Sequence, residues 1–92
     1  MKFLSTWKVR PGCLREAVNR FLAGQAQPGA GITLLGRWHK ADFSGGFSLS
    51  ETDNPSALYE FAALWADMLE IHSALVIEDA EAGPIMAKVF KK

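Results

Sequence analysis

The chain has one cysteine, Cys13, so no intramolecular disulfide can brace it. It has no excess of either charge, because ten Lys and Arg balance ten Asp and Glu in 92 residues. A nucleic-acid binder needs a basic surface to neutralise phosphates. None is available: Arg15 and Arg20 are interleaved with apolar positions, and Lys88, Lys91 and Lys92 end the chain without forming a stripe. No run approaches the roughly 18–20 apolar residues that span a bilayer. The opening Met1-Lys2-Phe3 enters an alternating segment, unlike the apolar core of a signal peptide. The expectation is a cytoplasmic protein with no nucleic-acid and no membrane partner. His39, His72, Cys13 and Asp42 show no zinc-type spacing, and one histidine as an axial haem ligand is the weaker reading. Gly29, Gly31 and Gly36 precede or occupy a strand instead of opening a helix, which argues against a dinucleotide loop. No Gly-x-Ser-x-Gly elbow occurs. No metal and no cofactor is expected.

What the chain does have is globular: 49% hydrophobic and 22% charged residues. The length suits a single domain over residues 1–92. A chain this short buries only about 60–65% of its unfolded surface, which makes a covering partner valuable. Residues 2–9 alternate as a strand, with Phe3, Ser5, Trp7 and Val9 on one side and Leu4, Thr6 and Lys8 on the other. Pro11-Gly12 ends it. Leu14, Ala17, Val18, Phe21 and Leu22 follow helical spacing, and Gly24 is placed for a left-handed cap. A loop over 25–31 leads to a second strand at 32–39, a turn at 42–46 and a third strand at 47–52. Asn54-Pro55 starts a helix that the apolar stripe Leu58, Phe61, Ala62, Trp65 and Leu69 carries to about residue 69. A fourth strand at 74–78, an acidic turn at 79–81 and a short helix at 84–90 complete the chain. The order βαββαβ predicts an α+β, ferredoxin-like fold with a four-stranded antiparallel sheet and a short C-terminal helix.

Pairing Trp38 with Phe47 segregates the second hairpin. Leu34, Gly36, Trp38, Phe47 and Leu49 then share one face, and Arg37, His39, Ser48 and Ser50 the other. Burying the apolar set predicts it lies under the helices with Phe3, Trp7, Val9, Leu75 and Ile77. The polar set would share the opposite face with Thr6, Leu4, Leu35 and Val76. That face is too aliphatic to leave wet, so the pattern predicts a homodimer that covers it.

Several runs carry a further signal: Thr6-Trp7-Lys8 with Pro11-Gly12, Leu34-Leu35-Gly36-Arg37-Trp38-His39, Gly45-Gly46-Phe47, Glu51-Thr52-Asp53 with Pro55, Trp65-Ala66-Asp67, and Val76-Ile77-Glu78-Asp79. Together they resemble a family of small bacterial proteins of unknown function that is similar to the dimeric α/β-barrel superfamily. The resemblance spans nearly the whole chain, and the Leu-Leu-Gly-Arg-Trp-His run is its most specific part. It implies the ferredoxin-like fold and a dimer built by apposed sheets. It implies no reaction. Wider relatives include cofactor-independent monooxygenases, haem-degrading oxygenases and small isomerases, so only a class of pocket carries over.

Arg37 and His39 are two apart on a strand and project the same way. Histidine can serve as acid or base, and the planar arginine fork can hold a carboxylate or enolate oxygen. These two are the catalytic candidates, with Ser48 or Ser50 adding a hydrogen bond. The plainer reading is a polar network at the dimer interface. Trp7, Trp38, Tyr59 and Trp65 are candidates for an aromatic ligand pocket, against the commoner reading as core. Three functional readings follow: a small-molecule-binding protein with catalysis unproven, a monooxygenase- or isomerase-like enzyme, and a non-catalytic assembly module in which His39 supports dimerisation.

Overall fold

The alternating segment Lys2–Val9 forms strand β1, an interior strand of the sheet, in a computed structural model that describes residues 1–91. Helix α1, Leu14–Leu22, ends as its sequence demands. Gly24 takes φ +81, and the N–H groups of Gly24 and Gln25 donate to the carbonyls of Phe21 and Arg20 at 3.0 and 3.1 Å. This double bond pattern satisfies carbonyls that the last turn leaves open. Strands β2 (Thr33–His39) and β3 (Gly45–Glu51) form a hairpin. Helix α2, Pro55–Ala63, starts with Asn54 Oδ1 accepting the Ser56 N–H at 3.1 Å and with proline in its first turn. Strand β4 (Leu69–Val76) and helix α3 (Asp79–Phe90) follow. Lys92, grouped above with Lys88 and Lys91, lies outside the described residues.

The sheet is antiparallel throughout, in the order β2-β3-β1-β4. With the two crossovers through α1 and α2, this is the ferredoxin-like arrangement. Among the described residues no helix is long and apolar enough to cross a membrane.

Several boundaries differ from the sequence expectation. Helix α2 stops at Ala63, not near residue 69. Tight turns then carry the chain, with Trp65 N–H donating to Ala62 at 3.1 Å and Met68 N–H to Trp65 at 3.0 Å. These turns keep Trp65 and Met68 pointing inward, at 8% and 1% exposure, so the apolar spacing of a helix outlasts the helix. Strand β4 begins at Leu69 instead of 74, and Ile77 falls beyond its end. Helix α3 begins at Asp79, with Asp79 and Glu81 in its first turn where the helix dipole favours acids. Pro84 sits inside it and removes one helical donor without ending it. Lys2 pairs with Glu78 just before this helix. That contact raises the Lys2 pKa and lowers that of Glu78.

The larger correction concerns the faces. Trp38 does pair with Phe47, so the hairpin register is as expected. Strand β1, however, sets Trp7 opposite Gly46, Ser5 opposite Ser48 and Phe3 opposite Ser50, while Thr6 meets Phe47 and Leu4 meets Leu49. The polar set Arg37, His39, Ser48 and Ser50 therefore lies with Trp7 on the helix side. Trp38, Phe47 and Leu49 lie with Leu4 and Thr6 on the open side. A bulge between Leu34 and Gly36 puts Leu34 opposite Ser50, on the helix side, away from Trp38. Binary patterning assigns the apolar set inward; here the space occupied by Trp7 decides otherwise.

Two tryptophan–glycine contacts hold this geometry. A Cβ at Gly46 would meet the Trp38 carbonyl and, at 2.5 Å, Cζ2 of Trp7; a Cβ at Gly36 would meet the Trp38 ring. On the open side Trp38 lies over Gly36 and stacks on Phe47 at 5.2 Å between centroids. Gly46→Ala is expected to destabilise the fold by about 2–3 kcal/mol, since a backbone carbonyl cannot move aside cheaply. A lowered urea midpoint with unchanged slope is the readout.

Candidate functional site

Because β1 alternates, one side chain in two faces the helices, and pairing aligns these in rows across the sheet. One row reads Ile71, Trp7, Gly46, His39. The next reads Ser73, Ser5, Ser48, Arg37, in register over all four strands. The Ser5 and Ser73 hydroxyls are hydrogen-bonded at 2.7 Å. A polar line thus crosses the sheet on the side that the helices cover.

The helices do not close onto it. Between them and the sheet lies a cavity of about 490 Å³. Its floor is the polar row with Trp7 and Ser50. Its roof is Ala17, Val18 and Phe21 of α1, with Leu58, Phe61 and Ala62 of α2 and Trp65 just beyond. Exposed Lys40, Ala41 and Phe43 of the β2–β3 turn lie at its edge with Leu14, which marks that side as the mouth.

Arg37 is half-buried, and its Nη2 donates to the Ala26 carbonyl at 2.5 Å while the guanidinium lies 5.7 Å from the Phe21 ring centre. Burial pushes its pKa below the usual arginine value. Guanidinium nevertheless stays protonated at neutral pH. Among the described residues no carboxylate forms an ion pair with it. His39, nearer the mouth, meets the rings of Trp7 and Phe21 edge-on, with centroids at 5.6 and 5.1 Å. Asp42 is turned into its own loop. Hydrogen bonds from the Ser44 hydroxyl (2.6 Å) and N–H (3.0 Å) hold its carboxyl below the usual range.

Of the residues singled out in the sequence, Arg37, His39, Trp7, Ser48, Ser50 and Trp65 all line this cavity. Trp38 does not, being on the opposite face of the sheet, and Tyr59 projects from α2 into solvent at 80% exposure. Both are corrections to the expected aromatic pocket. Ser5, Ser73 and Phe21 line the cavity unannounced. Ser5 had a signal: it is a polar residue among Phe3, Trp7 and Val9 on one strand face. Cys13 packs against the small core of Ala17, Ala26, Trp65 and Met68 and does not line the cavity.

A hydrogen-bonded polar pair is replaceable by apolar groups of similar shape at little or no cost. The double variant Ser5→Val/Ser73→Val, with two strand-favouring residues, is expected to match or exceed native stability by up to about 1 kcal/mol. Urea unfolding measures this, and a substantial loss would show that the row serves the fold.

Comparison with known proteins gives a family and little more. A family model described as a domain of unknown function, DUF3303, matches residues 1–90. No curated protein matches the chain. Among solved structures, Rv0793 from Mycobacterium tuberculosis is similar over 86% of this chain and 96% of that one, with 12% identity and a TM-score of 0.49. The chain therefore belongs to the DUF3303 family, a domain whose description assigns no activity.

Proposed function

We propose that the protein binds a small organic molecule in the cavity between its helices and sheet, and works as a homodimer paired through the open sheet face. The observation that carries the binding reading is the row Ser73, Ser5, Ser48, Arg37 on the floor of a cavity whose roof is apolar. Folding alone favours an apolar floor on the helix-covered side of a sheet, because burial of apolar surface is what stabilises that packing. A volume of about 490 Å³ falls within the range of sites for small organic ligands, about 300–1,000 Å³. The pairing reading is supported by the aromatic and aliphatic surface on the other side. Trp38, Phe47 and Leu4 are 51%, 40% and 37% exposed there. The interface is thus assigned to this set and not to His39, which faces the cavity.

Catalysis is a second reading, favoured by one observation: Arg37 and His39 stand two residues apart on β2 and both line the cavity. Arg37 would hold an oxyanion and His39 would move a proton, as in monooxygenase- or isomerase-type chemistry.

A neutral fluorescent probe, N-phenyl-1-naphthylamine, is expected to bind saturably at one site per chain. Ala62→Trp, which fills the cavity from its roof, is expected to abolish that binding while the circular dichroism stays native. Equal binding to the filled variant overturns the reading, as does absence of binding both of this probe and of the naphthalene acids and amide used below. For the dimer, sedimentation velocity is expected to give twice the chain mass, and Trp38→Glu/Phe47→Glu to give a folded monomer. A native monomer at tens of micromolar sinks the pairing.

A further inference from the structure

Charge at the cavity is one-sided. Its lining contains the cations Arg37 and Lys40 and, among the described residues, neither aspartate nor glutamate. Arg37 is held half-buried at the end of the polar row with one carbonyl bond from Nη2 and no carboxylate partner. A desolvated cation usually persists where something of opposite charge completes it. Asp42, the acid nearest the mouth in sequence, is already engaged by Ser44.

Polarity is also one-sided, across the cavity instead of along it. Three serine hydroxyls, with Ser50 in the adjacent row, occupy the floor, and the roof is aliphatic and aromatic. Strands lie about 4.8 Å apart, so the row from Ser73 to Arg37 extends about 14 Å in three steps. A ligand that satisfies both asymmetries has an anionic head at the β2 end, oxygens along one edge and an apolar opposite face.

Resting on the binding reading above, we propose that the ligand is a facially amphipathic organic acid: a carboxylate or enolate seated on Arg37, hydroxyl or carbonyl oxygens over Ser48 and Ser5, and an aromatic or branched body against Phe21, Phe61 and Trp65. Lys40 at the mouth adds attraction for the same charge. The arrangement selects against cations and against acids that are polar on both faces.

Calorimetric titration with 3-hydroxy-2-naphthoate, 2-naphthoate and 3-hydroxy-2-naphthamide tests this on the native protein. The hydroxy acid is expected to bind at least about tenfold tighter than its amide, because a charge-assisted bond replaces a neutral one. It is also expected to bind more tightly than the acid without the hydroxyl. Arg37→Met is expected to erase the acid–amide difference, and Arg37→Lys to keep part of it. Ser48→Ala is expected to erase the contribution of the hydroxyl alone. Equal affinity of acid and amide for the native protein overturns the charge assignment, even if the neutral naphthylamine probe binds. Failure of the naphthylamine and of every naphthalene compound removes the binding reading itself, and this proposal with it.

Discussion

Trp7 needs a neighbour without a side chain. Its indole lies on the helix side of β1, over the backbone of Gly46 on β3. That apposition fixes which face of the β2–β3 hairpin turns toward the helices. Once Gly46 is beneath Trp7, Ser48 and Ser50 must follow on the same side at alternating positions, and their partners on β2 must be Arg37 and Leu34. Phe47 and Trp38 are driven to the other side together. The cavity floor, the cation at its end and the aromatic surface behind it are consequences of one ring lying over one glycine.

Packing follows the same constraint. The buried apolar residues Ala17, Ala26, Trp65 and Met68 form a small core, and all of them but Met68 also line the cavity. The sheet is held mainly by its own ladder and by the aromatic–glycine contacts on both faces. Arg37 connects the site to the connection between α1 and β2 through the Ala26 carbonyl, so that loop is positioned by the residue that charges the cavity. Helix α3 adds no buried side chain, and Ile85, Met86, Val89 and Phe90 remain exposed along it.

Much of this was legible in the chain. The alternation of 2–9, the Gly24 cap, the Asn54-Pro55 start and the pairing of Trp38 with Phe47 all follow from local chemistry, and all appear in the fold. The face assignment did not follow, because alternation defines two sets without saying which is buried. The usual rule buries the apolar set, and it fails here because the helix-covered face is the floor of a cavity and not a closely packed core. The early start of β4 was hidden for a related reason. Its inward positions Leu69, Ile71, Ser73 and Leu75 include a serine, and Leu69 fits the preceding helical stripe equally well. Ser5 and Ser73 were visible as residues but had no meaning until pairing set them side by side.

The three indoles are distributed so that each samples different surroundings. Trp65 is buried at 8% exposure where the core borders the cavity, Trp7 lies half-covered on the cavity floor, and Trp38 is 51% exposed on the back of the sheet. The chain therefore carries intrinsic optical reporters on both sides of one sheet. Quenching by a solute in the cavity and a blue shift from covering the open face are separable signals, because no tryptophan belongs to both.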